Sequence, residues 1–98
     1  MNRKDDTEAA GLSREFEIRN QYGIHARPAA LFVKTASRFD AEVYVEKDGV
    51  RVSGKSIMGL MTLEASHGTR LIVFAGGPDA VAVLDELQGL IDGKFGEE

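Results

Sequence analysis

The sequence predicts a two-layer α+β domain, an antiparallel sheet covered on one face by helices. Three observations lead there. Several short segments alternate apolar and polar residues, as half-buried strands do. Others repeat apolar residues at helical spacing, and the two kinds follow each other in the order β-α-β-β-α-β-α. No internal repeat or second domain interrupts that order.

Met1 to Ser13 (MNRKDDTEAAGLS) is polar and aperiodic, and a mostly disordered N-terminal extension over 1–13 is expected, with the folded domain over 14–98. Phe16 and Ile18 alternate with Glu15, Glu17 and Arg19 as a first strand. A turn over Asn20 to Gly23 precedes a helix running to about Arg38, with Ala29, Phe32, Val33 and Ala36 as its apolar stripe. Ala41, Val43 and Val45 mark a second strand. Lys47-Asp48-Gly49 signals a hairpin into a third, Val50 to Ser53. Ser56 is a fitting cap for a short helix to about Leu63, which Gly68 separates from a fourth strand over Thr69 to Ala75. There Leu71, Val73 and Ala75 are expected to face the core, with Ile72 and Phe74 on the other side. Gly77-Pro78-Asp79 is expected to open the last helix, with Gly77 as cap and Pro78 in the first turn. Leu84, Leu87 and Ile91 give its stripe and Gly93 its stop. Strands one and two, joined through a helix, are expected to lie parallel with another strand between them.

Composition narrows the chemistry. The 98 residues suit one small core. There is no cysteine, so disulfides, thiolate catalysis and cysteine metal sites are excluded. Two histidines far apart in sequence make a poor metal site, and no metal or cofactor is expected. A net charge of −4 argues against nucleic acid as the main partner. No apolar run suits membrane insertion or a signal peptide, and a soluble cytoplasmic protein is expected.

The most informative stretch is Gly23-Ile24-His25-Ala26-Arg27-Pro28-Ala29-Ala30. Pro28 suits the first helical turn, where N–H groups have no intrahelical partner. His25 then falls at or just before the helix start, where free N–H groups and the dipole favour an anion. The same field disfavours imidazolium and favours a neutral, nucleophilic ring. Arg27 adds a fork of donors matched to phosphate oxygens. A lone histidine before a helix is more often a solvated residue, but this combination reads as a phosphoryl-acceptor site. His67, in Ser66-His67-Gly68, reads as an ordinary turn residue.

A second stretch, Lys55 to Leu63 (KSIMGLMTL), is apolar nearly all round. One small domain cannot bury every face of so short a helix, so Ile57, Met58 and Met61 are expected to be partly exposed as an adaptable docking patch. Gly49 to Ser56 also matches the G-x-x-x-x-G-K-[ST] phosphate loop. Its alternating Val50 and Val52 read as strand, and the following helix is short, so a chance match is expected.

Placed together, the two stretches resemble HPr, the histidine-containing phosphocarrier family of the bacterial phosphoenolpyruvate-dependent phosphotransferase system, over about Arg14 to Ile91. The resemblance implies an open-faced β-sandwich, a four-stranded antiparallel sheet of order 1-4-2-3 with three helices on one face. It implies that His25 accepts phosphate on Nδ1 from Enzyme I and donates it to Enzyme IIA domains, with Arg27 assisting. Such a protein is a carrier, not an enzyme. Ile57, Met58 and Met61, with Ala30, are the expected partner-binding residues. Ser56 is the expected regulatory site, phosphorylated by HPr kinase/phosphorylase where the organism has that enzyme. The carrier of a sugar-transport pathway and a regulatory phosphoprotein of a nitrogen- or carbon-responsive branch both fit the motifs. Tyr44, Ile72 and Phe74 make the outer sheet face more apolar than a solvated sheet needs, and a cover from the extension or a second copy is expected.

Overall fold

The structure, a computed structural model, describes residues 11–97. The elements are β1 (Gly11–Glu17), α1 (Ala26–Ser37), β2 (Glu42–Lys47), β3 (Val50–Ser53), α2 (Ile57–Thr62), β4 (Arg70–Gly76) and α3 (Ala80–Asp92). The strands form one sheet of order β1-β4-β2-β3 in which every neighbouring pair is antiparallel. β1 and β2 are therefore parallel to each other with β4 between them, as the helical crossover required.

Strand alternation decides which face the helices cover. Phe16, Val43, Val45, Leu71, Val73 and Ala75 are buried. They meet Ala29, Phe32 and Ala36 of α1 and Val83, Leu84, Leu87 and Ile91 of α3 in one core. Burying one such side chain is worth about 1.5–3 kcal/mol, so these two stripes hold the layers together. At the β2–β3 hairpin, Asp48 and Gly49 both have positive φ, 52° and 83°, the pattern of a two-residue turn that matches strand twist.

The opposite face carries Tyr44 and Ile72, both exposed, and the part-buried Phe74. Tyr44 lies directly across from Phe74. Arg51 of β3 places its guanidinium 4.1 Å from the Phe74 ring centroid and 6.0 Å from that of Tyr44, so the sheet covers part of this face itself.

Two expected boundaries are corrected. Gly11, Leu12 and Ser13, assigned to the extension, pair with Gly76, Ala75 and Phe74, because the β4 edge offers them hydrogen-bond partners that no local pattern reveals. The disorder expected for residues 1–10 lies outside the described residues. Asp79, not Gly77, is the N-cap of α3, and its carboxylate Oδ2 accepts from the Asp40 amide at 2.7 Å instead of capping its own helix. Gly77 and Pro78 precede the helix. Gly93 does end it, but with φ −83°; beyond it the left-handed residues are Lys94, Phe95 and Gly96, at 58°, 53° and 79°.

The phosphate-loop match is also resolved. Val50 to Ser53 are strand, and Lys55 Nζ donates to the Ala41 carbonyl at 2.8 Å. That lysine is a structural clasp.

Candidate functional site

His25 is the N-cap of α1, in extended conformation with no side-chain capping bond. The first intrahelical acceptance is its own carbonyl taking the Ala29 amide at 2.9 Å. The amides of Ala26 and Arg27 are thus left without intrahelical acceptors, and Pro28 has none to offer. Arg27 and Ala30 are exposed, while Pro28 and Ala29 are buried against the core. An exposed imidazole, a guanidinium two residues on and the helix amides share one turn. That arrangement suits a nitrogen nucleophile receiving a phosphoryl group.

The loop before His25 is held tightly. The Ile24 amide donates to the Ala65 carbonyl at 2.9 Å, tying the loop to the connection between α2 and β4. Gly23 has φ +70°, and a Cβ there would overlap the Ala65 carbonyl oxygen and lie 2.8 Å from Ser66 Cα. Only glycine satisfies both the backbone angle and the close approach.

Three residues join the site that the sequence did not single out, Asn20, Glu97 and Tyr22. Asn20 is fully buried, and its Nδ2 donates to the Gly23 carbonyl at 2.7 Å and to Glu97 Oε2 at 3.2 Å. The same Glu97 oxygen lies 3.2 Å from His25 Nε2, with the carboxylate side chain 16% and the imidazole 46% exposed. The tail reaches this point through the left-handed pair Lys94 and Phe95. Left-handed residues cost on the order of 1–2 kcal/mol each. Burial of the Phe95 ring, about 1.5–3 kcal/mol, offsets most of that together with the Gly96-to-Gly93 and Glu97-to-Lys94 backbone bonds. No local signal announces this contact, since His25 and Glu97 lie 72 positions apart in the chain. Tyr22 adds an edge-to-face contact with the imidazole, ring centroids 6.5 Å apart.

Ser56 is the N-cap of α2, and its Oγ accepts from the Gly59 amide at 2.9 Å. Within α2 only Leu60 is buried. Ile57, Met58 and Met61 are 40%, 75% and 39% exposed, so the apolar patch is present. α2 packs on α1, and its C-terminal end leads to Ala65, the anchor of the His25 loop. Ser56 sits at the other end of this six-residue helix, about 9 Å along its axis. His67 is exposed beside Arg19, Gln21 and Lys94 and is not joined to His25. Among the described residues no group of three or more His, Cys, Asp or Glu could hold a metal, and no helix is long and apolar enough to cross a membrane.

Residues 12–92 match the family described as the PTS HPr component phosphorylation site. The chain is 47% identical over 81 residues to the phosphocarrier protein HPr of Treponema pallidum, covering 83% of this chain and 92% of that one. It is 45% identical over 80 residues to the HPr-like protein Crh of Bacillus subtilis, covering 82% of this chain and 94% of that one. The crystal structure of HPr-C-His from Thermoanaerobacter tengcongensis superposes with a TM-score of 0.85 at 48% identity, over 89% of this chain and 98% of the other. Sequence, fold and the residues around His25 agree, and the chain belongs to the HPr family of phosphocarrier proteins of the phosphotransferase system.

Proposed function

We propose that this protein accepts a phosphoryl group on His25 Nδ1 from Enzyme I, originating in phosphoenolpyruvate, and passes it to Enzyme IIA domains in the cytoplasm. The observation that carries the reading is the exposed His25 at the N-cap of α1 with Arg27 in the same turn, in a chain of the phosphocarrier family. The helix amides and Arg27 counter the charge on the moving group, and Ile57, Met58, Met61 and Ala30 dock the partner. Ser56, phosphorylated by HPr kinase/phosphorylase where the organism has that enzyme, weakens docking by placing about −1.5 to −2 charges beside Ile57 and Met58.

Incubation with Enzyme I and phosphoenolpyruvate is expected to give an acid-labile, base-stable adduct that His25→Ala abolishes. Equal adduct in His25→Ala ends the reading. A second reading is favoured by the near-equal identity to Crh: a mainly regulatory phosphoprotein of a nitrogen- or carbon-responsive branch, without sugar transport. It predicts phosphorylation of His25 with no onward transfer to a sugar-specific Enzyme IIA. The presence of His25 supports phosphotransfer over signalling through Ser56 alone.

A further inference from the structure

We infer that Tyr22 is a positioning residue for phosphotransfer: its ring fixes the plane of the His25 imidazole and so the direction in which Nδ1 presents its lone pair. The inference rests on His25 being the acceptor. Among the described residues the imidazole makes one hydrogen-bond contact, between Nε2 and Glu97 Oε2 at 3.2 Å. One contact at that atom does not fix the plane. The Cβ–Cγ axis passes between Nε2 and Cε1, so turning the ring about it displaces Nε2 less than Nδ1, and this torsion is intrinsically broad for histidine. The N-cap position adds no restraint, since the side chain makes no capping bond. The second restraint is Tyr22, whose ring meets the imidazole at an interplanar angle of 75° with centroids 6.5 Å apart. A pair of this kind prefers near-perpendicular rings, so it resists the rotation that the hydrogen bond permits.

The backbone holds both rings in place for this contact. Tyr22 lies in the turn in which the Gly23 amide donates to the Asn20 carbonyl at 3.3 Å, and the buried Asn20 side chain donates to the Gly23 carbonyl at 2.7 Å. On the other side, the Ile24 amide donates to the Ala65 carbonyl and the His25 carbonyl accepts from the Ala29 amide, both at 2.9 Å. Tyr22 itself is 71% exposed, so its ring adds little to the core, and the imidazole is the one ring it pairs with among the described residues. Its effect falls on the reacting atom. The Nδ1 lone pair lies in the imidazole plane. It forms the N–P bond as the bond from phosphorus to the donor breaks, and that electron pair leaves with the donor. An imidazole turned about its axis swings the lone pair away from the phosphorus, and alignment of that kind governs the rate of the step more than the affinity of the partner.

The full chain is tested as wild type, Tyr22→Phe, Tyr22→Leu and Tyr22→Ala, each checked for wild-type circular dichroism. ¹³C relaxation at His25 Cδ2 and Cε1, both off the Cβ–Cγ axis, reads the order of the ring without any partner protein. Wild type and Tyr22→Phe are expected to share an ordered ring, because the contact uses the ring and not the hydroxyl. Tyr22→Leu and Tyr22→Ala are expected to lose that order. Rapid-quench phosphorylation over a range of phosphorylated Enzyme I concentrations then separates rate from docking. The maximal rate is expected to fall about twofold to tenfold in Tyr22→Leu and Tyr22→Ala, the worth of one edge-to-face pair, with the apparent KM unchanged. Tyr22→Phe is expected to match wild type in both. Unchanged ring order in Tyr22→Ala, a Tyr22→Leu that matches wild type, or a loss confined to the apparent KM overturns the inference. Failure of wild type to be phosphorylated at His25 would instead overturn the reading it rests on.

Discussion

Replacing Gly23 by alanine tests how the His25 loop is built. Gly23 combines φ +70° with a contact to the backbone of Ala65 and Ser66, whereas Gly68 has φ +87° and open space where a Cβ would go. Gly68→Ala therefore measures backbone strain alone, about 1 kcal/mol for a left-handed alanine. Gly23→Ala adds an overlap with a carbonyl that cannot rotate away and disturbs the Ile24–Ala65 hydrogen bond. Overpacking of that kind costs about 1–3 kcal/mol, giving about 3 kcal/mol in all. For a domain of this size 1 kcal/mol shifts the midpoint by about 4–8 °C. Thermal unfolding followed by circular dichroism is expected to fall by about 5 °C for Gly68→Ala and about 15 °C for Gly23→Ala. Phosphorylation of His25 is expected to slow only in the latter. Equal midpoint shifts for the two variants would refute the argument that close approach to Ala65 positions this loop.

Arg27→Ala is expected to slow phosphoryl transfer by about tenfold or more with a thermal midpoint close to wild type, because the side chain is exposed. Rapid-quench kinetics and thermal unfolding check the two halves. Met58→Glu, at the most exposed apolar side chain of α2, is expected to raise the apparent KM for Enzyme I and leave the circular dichroism spectrum unchanged. Ser56→Ala removes the bond from Gly59 and is expected to cost about 1 kcal/mol of stability by chemical denaturation. Ser56→Asp keeps a capping oxygen, so it is expected to retain stability while raising the apparent KM.

The sequence by itself determined the elements whose cause is local. Strict alternation at Val43 and Val45 and at Leu71, Val73 and Ala75 assigned the buried sheet face, since neighbouring strand residues point to opposite sides. Pro28 and the stripe Ala29, Phe32 and Ala36 located α1 and put His25 at its start, and Ser56 capped α2 as its side chain allows. The tertiary structure decided what depends on partners distant in the chain. Gly11 to Ser13 have no apolar period and are strand because β4 pairs with them. Asp79 has a good capping side chain, but the Asp40 amide takes its carboxylate. Arg51 covers Phe74 because the register of β2 with its two neighbours brings β3 across the face. The meeting of Asn20, His25 and Glu97 depends on the left-handed run Lys94, Phe95 and Gly96, with the Phe95 ring buried, turning the tail back onto the first loop. Hydrogen bonds of that span come from packing, and one-dimensional patterns carry no trace of them.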